Sequence, residues 1–204
     1  MTFTTAEKTK ILRLKSELTA QFSVKMSAIS DNLFQALVRE NCIITGGAIA
    51  SCFHSEKIND IDLYAKDQTS LNALKSYILE SMKDNIKEMK RYDIEDANDP
   101  IPPAKTHMIT NNAVTMKGDL QFVYLDTADQ CRLKFDFIHC MPWFDIKTQK
   151  LYISRDQYDS IATKMLIRNP HSENVKFRRV DKYINRGWGI DKNVYKEISA
   201  NNVQ

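Results

Sequence analysis

The first forty residues carry apolar side chains at steps of three and four. "TTAE" places Thr4 and Glu7 where a capping box starts a helix. This spacing predicts one long helix or two shorter helices that bury a single face. The apolar positions are Ile11, Leu14, Leu18, Phe22, Met26, Ile29, Leu33 and Leu37.

Short apolar runs replace this period after residue 41. "CIIT" predicts a buried strand that ends at two glycines, "AIASCFH" a short helix, and "DIDLYA" a second strand. "TSLNALKSYILESMKDNIKEMKR" predicts an amphipathic helix, with Thr69 or Ser70 as its N-cap. An acidic, proline-bearing connector follows between Tyr92 and Pro103, which we interpret as a surface loop or, alternatively, a substrate lid.

The remaining pattern predicts further strands and then helices. "THMIT", "AVTM", "LQFVYL" and "CRLKFDFIH" are the strand candidates, and turn-forming residues separate them. Helical periodicity returns at Arg155 and is broken at Asn169-Pro170 and at Gly187-Trp188-Gly189. The expected fold class is α+β, a mixed sheet flanked by helices. We divide it into an N-terminal helical segment (1–40), a core (41–154) and a C-terminal helical part (155–204), packed as one unit.

Composition excludes few classes of protein. The 204 residues are 43% hydrophobic and 27% charged, with a formal net charge of +3, so global charge indicates no particular partner. No run approaches the roughly 18 apolar residues of a membrane helix, and charges interrupt the N-terminus where a signal peptide would need an apolar core. We expect a cytoplasmic protein. Its cysteines lack C-x-x-C spacing and are interpreted as free thiols: Cys42, Cys52, Cys131 and Cys140.

Asp60 and Asp62 stand at alternate positions of an otherwise apolar run. Strand side chains alternate between faces, so both carboxylates share one face while Ile61 and Leu63 point into a core. Close carboxylates repel each other and are costly to bury without a partner. Mg²⁺ relieves both costs, because it prefers one or two carboxylates together with phosphate and water oxygens. The simpler alternative is that Asp60 ends a turn and Asp62 is a solvated edge residue.

Two further features favour the metal interpretation. Gly46 and Gly47 lie between a strand and a helix start, where a backbone without side chains can approach a phosphate closely. Asp136 is a third carboxylate, flanked by aromatic residues in a strand-like run. Each feature alone has a simpler interpretation: the glycines would form a tight turn, and Asp136 would face solvent. Taken together, the five residues match two-metal phosphoryl chemistry.

The order "TGG", twelve residues, "DID" and a later "FDF" resembles the nucleotidyltransferase superfamily typified by DNA polymerase β. The chain is more closely similar to small nucleotidyltransferase-like proteins of bacteriophages and large DNA viruses. The blocks that carry this closer resemblance are "TNNAVTM…LQFV", "FDFIHCMPW" and "KYINRGWGI". The resemblance extends from about Asn41 to Ile190, and it implies a nucleotidyltransferase-type sheet.

The resemblance also implies roles at matched positions. Asp60 and Asp62 would hold the cation (Mg²⁺ or Mn²⁺) that bridges the phosphates of a nucleotide. Asp136 would share a second cation and help to deprotonate the acceptor hydroxyl. Gly46 and Gly47 would contact the triphosphate through backbone N–H groups.

The chain departs from the family pattern at one of these glycines. Many superfamily members carry serine where Gly47 stands, and Ser51, one turn further on, is the candidate substitute. The implied reaction is in-line attack of a hydroxyl on the α-phosphate of a nucleoside triphosphate, with release of pyrophosphate. Positioning and charge stabilisation supply most of the catalysis in such a step.

Cations recur near the C-terminus. Arg179, Lys182 and Arg186 follow steps of three and four, so they line one helix face and are candidates to bind a triphosphate or an RNA backbone. The alternative is a solvated helix face. Trp188, between two glycines, stacks a base or, more commonly for such a residue, closes the core at a helix end.

Three functions remain open from the sequence. The first is a metal-dependent nucleotidyltransferase that acts on RNA or tRNA ends, a protein or a small molecule. The second is a minimal nucleotidyltransferase of a toxin–antitoxin or phage-defence system, in the host cytoplasm. The third is a non-catalytic relative that binds nucleotide or nucleic acid. Because Asp60, Asp62 and Asp136 are all present, the sequence argues against the non-catalytic relative. The short chain argues against a CCA-adding role. The acceptor, the preferred nucleotide and the oligomeric state are not readable from the sequence.

Overall fold

The computed structural model describes residues 2–81, 112–116, 118–173 and 175–201. Helices and strands alternate along this part of the chain. Its helices are α1 (Thr5–Met26), α2 (Asn32–Asn41), α3 (Gly47–Phe53), α4 (Gln68–Ser81), α5 (Ala128–Leu133), a 3₁₀ helix (Ile138–Cys140), α6 (Arg155–Thr163), α7 (Phe177–Ile184) and α8 (Lys192–Asn201). Its strands are β1 (Cys42–Thr45), β2 (Ile61–Ala65), β3 (Ala113–Met116), β4 (Leu120–Val123), β5 (Trp143–Asp145), β6 (Lys150–Tyr152), β7 (Met165–Leu166) and β8 (Gly189–Ile190).

The N-terminal apolar period forms two helices, one of the two predicted arrangements. Thr4 and Glu7 make the predicted capping box at the start of α1. Asp31 begins α2, because its carboxylate accepts a hydrogen bond from the N–H of Phe34 at 2.9 Å. The buried positions of α1 are Leu14, Leu18, Phe22 and Met26, so its apolar face lies against the core as the spacing indicates. The prediction is wrong in α2, where Phe34 and Val38 are the buried residues and Leu33 is 58% exposed.

The central sheet is mixed, as expected for the α+β class. Its strand order is β3-β4-β2-β1-β5-β6, with β2 parallel to β4 and the other described pairs antiparallel. A separate two-stranded parallel sheet joins β7 to β8 near the C-terminus. In the cross-strand register Thr45 lies beside Trp143, while Ile44 lies opposite Leu63. Asp62 therefore occupies a central strand of the larger sheet.

The two faces of this sheet have different neighbours. One face packs against α1, α2 and α4, and its buried side chains include Ile44, Leu63 and Phe122. The opposite face carries Ile43 and Tyr64, which pack with α5 in a smaller cluster. Because strand residues alternate, Asp62 belongs to this second face, away from the main core. A third cluster, built from α6, α7 and α8 together with Ala50 and Phe137, lies under the C-terminal part.

The structure corrects several predicted elements. "CRLKFDFIH" is not a strand: α5 ends at Leu133, an irregular segment follows, and the 3₁₀ helix begins at Ile138. Strands β5 and β6 were not predicted, because each has three residues and lacks a readable alternation. The cap of α4 is not Thr69 or Ser70. Asp67 accepts from the N–H of Ser70 at 2.8 Å, so the helix begins one residue before Thr69.

Some predictions concern residues that the structure does not describe, and others concern the cysteines and membrane spans. The connector between 92 and 103, the strand at 106–110 and the end of the helix predicted over 69–91 lie outside the described residues. All four cysteines are free and buried, as interpreted from their spacing. Within the described ranges, none of the helices combines the length and apolarity required to cross a bilayer. The three-part division of the chain stays a prediction.

Replacement of Phe122 should show by its loss of stability that the main hydrophobic core lies on the sheet face that packs against α1, α2 and α4. Phe122 has 0% exposure, and Phe122→Ala removes a large buried side chain. We expect the free energy of unfolding to fall by about 3 to 5 kcal/mol. Gln121→Ala, one residue earlier on the opposite face, should cost less than about 1 kcal/mol in the same denaturant titration. Equal losses would contradict this orientation of β4.

Candidate functional site

A cavity of about 250 Å³ opens on the sheet face that carries Asp62. It lies between the β1–α3 turn, the start of β2, the irregular segment before the 3₁₀ helix, and α7. The acids, glycines, serine and basic residues singled out from the sequence all line it, whereas Trp188 does not. They are Gly46, Gly47, Ser51, Asp60, Asp62, Asp136, Arg179, Lys182 and Arg186.

The glycine turn brings the backbone against Asp62. Gly46 has φ of +96°, a conformation that side chains other than glycine rarely adopt, and its N–H donates to the carbonyl of Cys140 at 2.9 Å. A Cβ at this position would lie 3.1 Å from Asp62 Oδ2. Gly47 begins α3, and a Cβ there would lie an ordinary 3.8 Å from the Tyr183 hydroxyl. The close approach therefore explains the first glycine and not the second.

Asp62 is a half-buried carboxylate with one shielded, unpaired oxygen. Its Oδ1 is shielded from solvent and has no hydrogen-bond partner among the described residues. Burial raises the pKa of this carboxyl to about 7; the neighbouring charge of Asp60 contributes to the rise, and Lys182 opposes it. Asp60 itself is exposed and immediately precedes β2. The two acids line the same cavity, and the charge of one raises the pKa of the other.

Asp136 faces the same cavity but is already paired. Its side chain is 6% exposed, and Arg179 Nη1 donates to its Oδ2 at 2.9 Å. The Ser172 hydroxyl lies 3.5 Å from Oδ1. Across residues 2–81, 112–116, 118–173 and 175–201, no group of three or more His, Cys, Asp or Glu side chains stands close enough together to bind a metal ion. The structure thus pairs the third acid with a guanidinium on the wall of the cavity that the other two acids also line.

The acid pair still fits a single hard cation. Mg²⁺ is commonly held by one or two carboxylates, with phosphate and water oxygens in its other positions. Asp62 supplies one carboxylate that lacks a full set of protein partners, and exposed Asp60 supplies a second carboxylate on the same cavity wall. These two residues could hold Mg²⁺ or Mn²⁺ without Asp136.

Four cationic side chains face the acids. Arg179 and Lys182 project from α7, and Arg186 lies in the turn just after it, as the helical spacing indicates. Lys57, in the loop before β2, is the fourth, and sequence reasoning missed it. Its only signal is that it precedes Asp60 by three residues, which is too common a spacing to single it out. Since Arg179 pairs with Asp136, the other three cations have the freer access to an anion.

Buried aromatic side chains support the cavity from behind. His139 is 0% exposed and packs on Trp188 with ring centroids 4.1 Å apart. Burial lowers the pKa of His139 to about 3, so its imidazole is neutral at physiological pH. Cys140 contacts the Tyr183 hydroxyl at 3.1 Å. Trp188 is only 6% exposed, so it closes the core at the end of α7 and is not available to stack a base.

The chain belongs to the Gabija anti-defense 2 family, whose model matches residues 16–164. A relative of that name from Bacillus phage SPbetaL7 is 25% identical over 166 residues, which cover 80% of this chain and 38% of the relative. The chain therefore spans well under half the length of this relative. The matched segment contains the glycine turn and the three acids, whereas Arg179, Lys182 and Arg186 follow it.

Among solved structures, the chain is similar to CCA-adding enzymes over less than half of their length. A Thermotoga maritima CCA-adding enzyme complexed with tRNA matches 86% of this chain and 43% of its own, with 11% identity and a TM-score of 0.46. A Bacillus stearothermophilus CCA-adding enzyme in complex with CTP matches 84% and 41%, with 10% identity and a TM-score of 0.47.

Removing the charge of Asp62 should stabilise the protein in the absence of divalent cations. The pKa of this carboxyl is about 7 in the folded chain against an ordinary 3.8, so the folded state binds the proton more tightly. The free energy of unfolding should therefore fall as pH rises from about 4 to about 7. At pH 8, Asp62→Asn should be more stable than the unmodified chain by roughly 1 to 4 kcal/mol.

Chemical denaturation in EDTA at pH 5 and pH 8 measures this difference. Asp60→Asn is the matched control, since Asp60 is exposed and its removal only relieves repulsion on Asp62. It should give a smaller gain. A loss of stability in Asp62→Asn at pH 8 would show that the carboxylate is satisfied in the apo protein.

Proposed function

We propose that the chain is a metal-dependent nucleotidyltransferase that transfers a nucleoside monophosphate from a nucleoside triphosphate to a hydroxyl acceptor and releases pyrophosphate. The observation that carries the proposal is that Asp62 lines one cavity with Asp60, the glycine turn and the basic helix α7, while its Oδ1 has no hydrogen-bond partner among the described residues. This combination suits a ligand that carries a divalent cation and several negative charges. The family resemblance in the sequence supports the same chemistry.

Asp60 and Asp62 are the residues that would hold the cation, Mg²⁺ or Mn²⁺. When bound, such a cation polarises phosphoryl oxygens and neutralises charge on the triphosphate. Lys57, Lys182 and Arg186 bind and orient the remaining phosphate oxygens, because cationic donors form strong hydrogen bonds to phosphate. Gly46 and Gly47 leave the backbone accessible beside the same cavity, and Ser51 offers a hydroxyl one turn into α3.

Asp136 is the candidate base for the acceptor hydroxyl. In the reaction, the hydroxyl oxygen forms a bond to the α-phosphorus, the bond between the α-phosphorus and its bridging oxygen breaks, and the hydroxyl proton passes to Asp136. That role requires Arg179 to release the carboxylate that it binds at 2.9 Å. A triphosphate is a more highly charged partner for the same guanidinium, and Arg179 is 48% exposed on the cavity wall. Nucleotide binding and release of Asp136 are therefore coupled in this proposal.

The family name supplies the biological setting of the proposal. We propose that nucleotidyl transfer serves to counter the Gabija defence named in the family description. The acceptor is then RNA, tRNA, a protein or a small molecule in the infected host. A host that carries Gabija provides the test: phage growth rescued by the unmodified chain should be lost with Asp60→Ala/Asp62→Ala. Equal rescue by the unmodified chain and the double variant would show that the anti-defence role does not depend on nucleotidyl transfer.

A non-catalytic nucleotide-binding protein is the second candidate. One observation favours it: Asp136 is paired with Arg179, and the described residues contain no group of three metal-binding side chains. In that case the cavity binds a nucleotide or an oligonucleotide, and the acid pair serves only to hold its cation.

Label transfer separates the two candidates. Incubation with each α-labelled nucleoside triphosphate, Mg²⁺ or Mn²⁺, and host tRNA or lysate should transfer label to an acceptor. Asp60→Ala/Asp62→Ala should reduce transfer by more than about a hundredfold, because it removes the charges that hold the cation. Metal-dependent nucleotide binding without any label transfer would support the non-catalytic alternative. Absence of metal-dependent binding would contradict both.

The basic side chains can be tested by binding alone. Lys182→Ala should weaken the affinity for a non-hydrolysable triphosphate by about tenfold, because it removes one charge-assisted contact. Arg178→Ala is the matched control, since Arg178 is an exposed cation of the same helix that does not line the cavity. Its affinity should change less than about twofold. Equal weakening by both variants in titration calorimetry would indicate nonspecific attraction to α7.

A further inference from the structure

We propose that Asn169 is the positioning residue of Asp136, so that the C-terminal part of the chain holds the third acid in the cavity. This inference rests on the proposed function for its catalytic meaning, although the positioning itself is a structural property. The sequence pattern marks Asn169-Pro170 only as a break in helical periodicity. The structure gives the side chain a specific task.

Asp136 lies in an irregular segment that belongs to none of the described helices or strands. Helix α5 ends at Leu133, and the 3₁₀ helix begins at Ile138. A segment of this kind needs partners for its backbone carbonyls, since an unpaired buried carbonyl is costly. The placement of the Asp136 side chain depends on what provides those partners.

Asn169 provides three of them. Its Nδ2 donates to the carbonyl of Leu133 at 2.9 Å and to that of Phe135 at 2.7 Å. Its backbone N–H donates to the carbonyl of Asp136 itself at 2.8 Å. The residue is 0% exposed, so water does not compete for these bonds. The side chain and backbone of this one residue therefore hold two carbonyls that precede Asp136 and the carbonyl of Asp136 itself.

Neighbouring contacts complete the attachment. Phe137 forms an isolated antiparallel bridge with Arg168, and the N–H of Ile138 donates to the carbonyl of Ile167 at 3.0 Å. The Asn169 carbonyl accepts from the N–H of Ser172 at 3.0 Å, and the Ser172 hydroxyl lies 3.5 Å from Asp136 Oδ1. The segment 167–172 thus forms one isolated bridge and a turn that hold the residues around Asp136.

This arrangement leaves the two partners of the Asp136–Arg179 ion pair unequal in freedom. The Asp136 backbone is tied down, and its side chain is almost fully buried, whereas Arg179 is half-exposed on α7. Displacement of a reacting group by about 1 Å can cost a large part of the rate. Loss of the Asn169 amide should therefore disturb Asp136 more than the fold as a whole.

The test uses the full chain with two variants of Asn169. Asn169→Asp keeps the shape but replaces two N–H donors with an acceptor that faces the carbonyls of Leu133 and Phe135. Asn169→Ala removes the donors without adding a charge. Asn41→Ala is the matched control, because Asn41 also donates to a backbone carbonyl (that of Leu37, at 3.0 Å) but belongs to α2.

The first readout is the ion pair in crystal structures of the variants. We expect the distance between Asp136 Oδ2 and Arg179 Nη1 to exceed about 4 Å in Asn169→Ala and Asn169→Asp and to stay near 2.9 Å in Asn41→Ala. An intact pair in both Asn169 variants would overturn the proposal. Failure of both to fold, where Asn41→Ala folds, would make Asn169 a folding residue and also overturn it.

The second readout is the split between kcat and KM for nucleotidyl transfer. Misplacement of the base should lower kcat by about tenfold or more, while KM for the triphosphate changes less than about threefold. Unchanged kcat in a variant that has lost the ion pair would contradict the catalytic meaning of the positioning. If the unmodified chain transfers no nucleotide, the proposed function fails, whereas loss of the ion pair would still establish that Asn169 positions Asp136.

Discussion

The carboxylate of Asp62, with one oxygen shielded from solvent, is the constraint on which the organisation of the cavity depends. A charge placed on a central strand and shielded from water is destabilising unless a partner compensates it. The fold brings the Gly46 backbone so close to Asp62 that a Cβ on Gly46 would lie 3.1 Å from Asp62 Oδ2. It also places Lys182 where its positive charge opposes the rise in the pKa of Asp62. One oxygen nevertheless stays without a protein partner in the described structure. Such a group is typical of a functional site, because stability alone would favour an apolar side chain there.

Charge around the cavity is divided between two parts of the chain. The sheet and its loops supply the acids and Lys57, whereas α7 and the turn after it supply Arg179, Lys182 and Arg186. Asp136 and Arg179 compensate each other across this division, and Asn169 attaches the Asp136 segment to the C-terminal part. The C-terminal part is thus a component of the site and not only a cover for the sheet. In the proposed function, a triphosphate in the cavity takes the place of Asp136 beside Arg179.

Local patterns predicted much of the fold and of the list of residues in the site. Periods of two and of three to four residues follow directly from strand and helix geometry, so "CIIT", "AVTM" and the α1 face could be recognised without tertiary information. The glycine pair and the alternate acids carry their chemistry in residue type and spacing. The basic face of α7 is also a local property, because a helix fixes which residues share a face.

Tertiary structure decided what these patterns leave open. The segment around Asp136 has the apolar alternation of a strand, but its hydrogen bonds go to Asn169, more than thirty positions away in the chain. The pairing of Asp136 with Arg179, the burial of Trp188 and the presence of Lys57 in the cavity are likewise contacts between distant segments. The sequence by itself determined which side chains carry charge and which faces are apolar. Long-range packing alone decided which charges meet, because the distance between two side chains depends on the whole path of the chain between them.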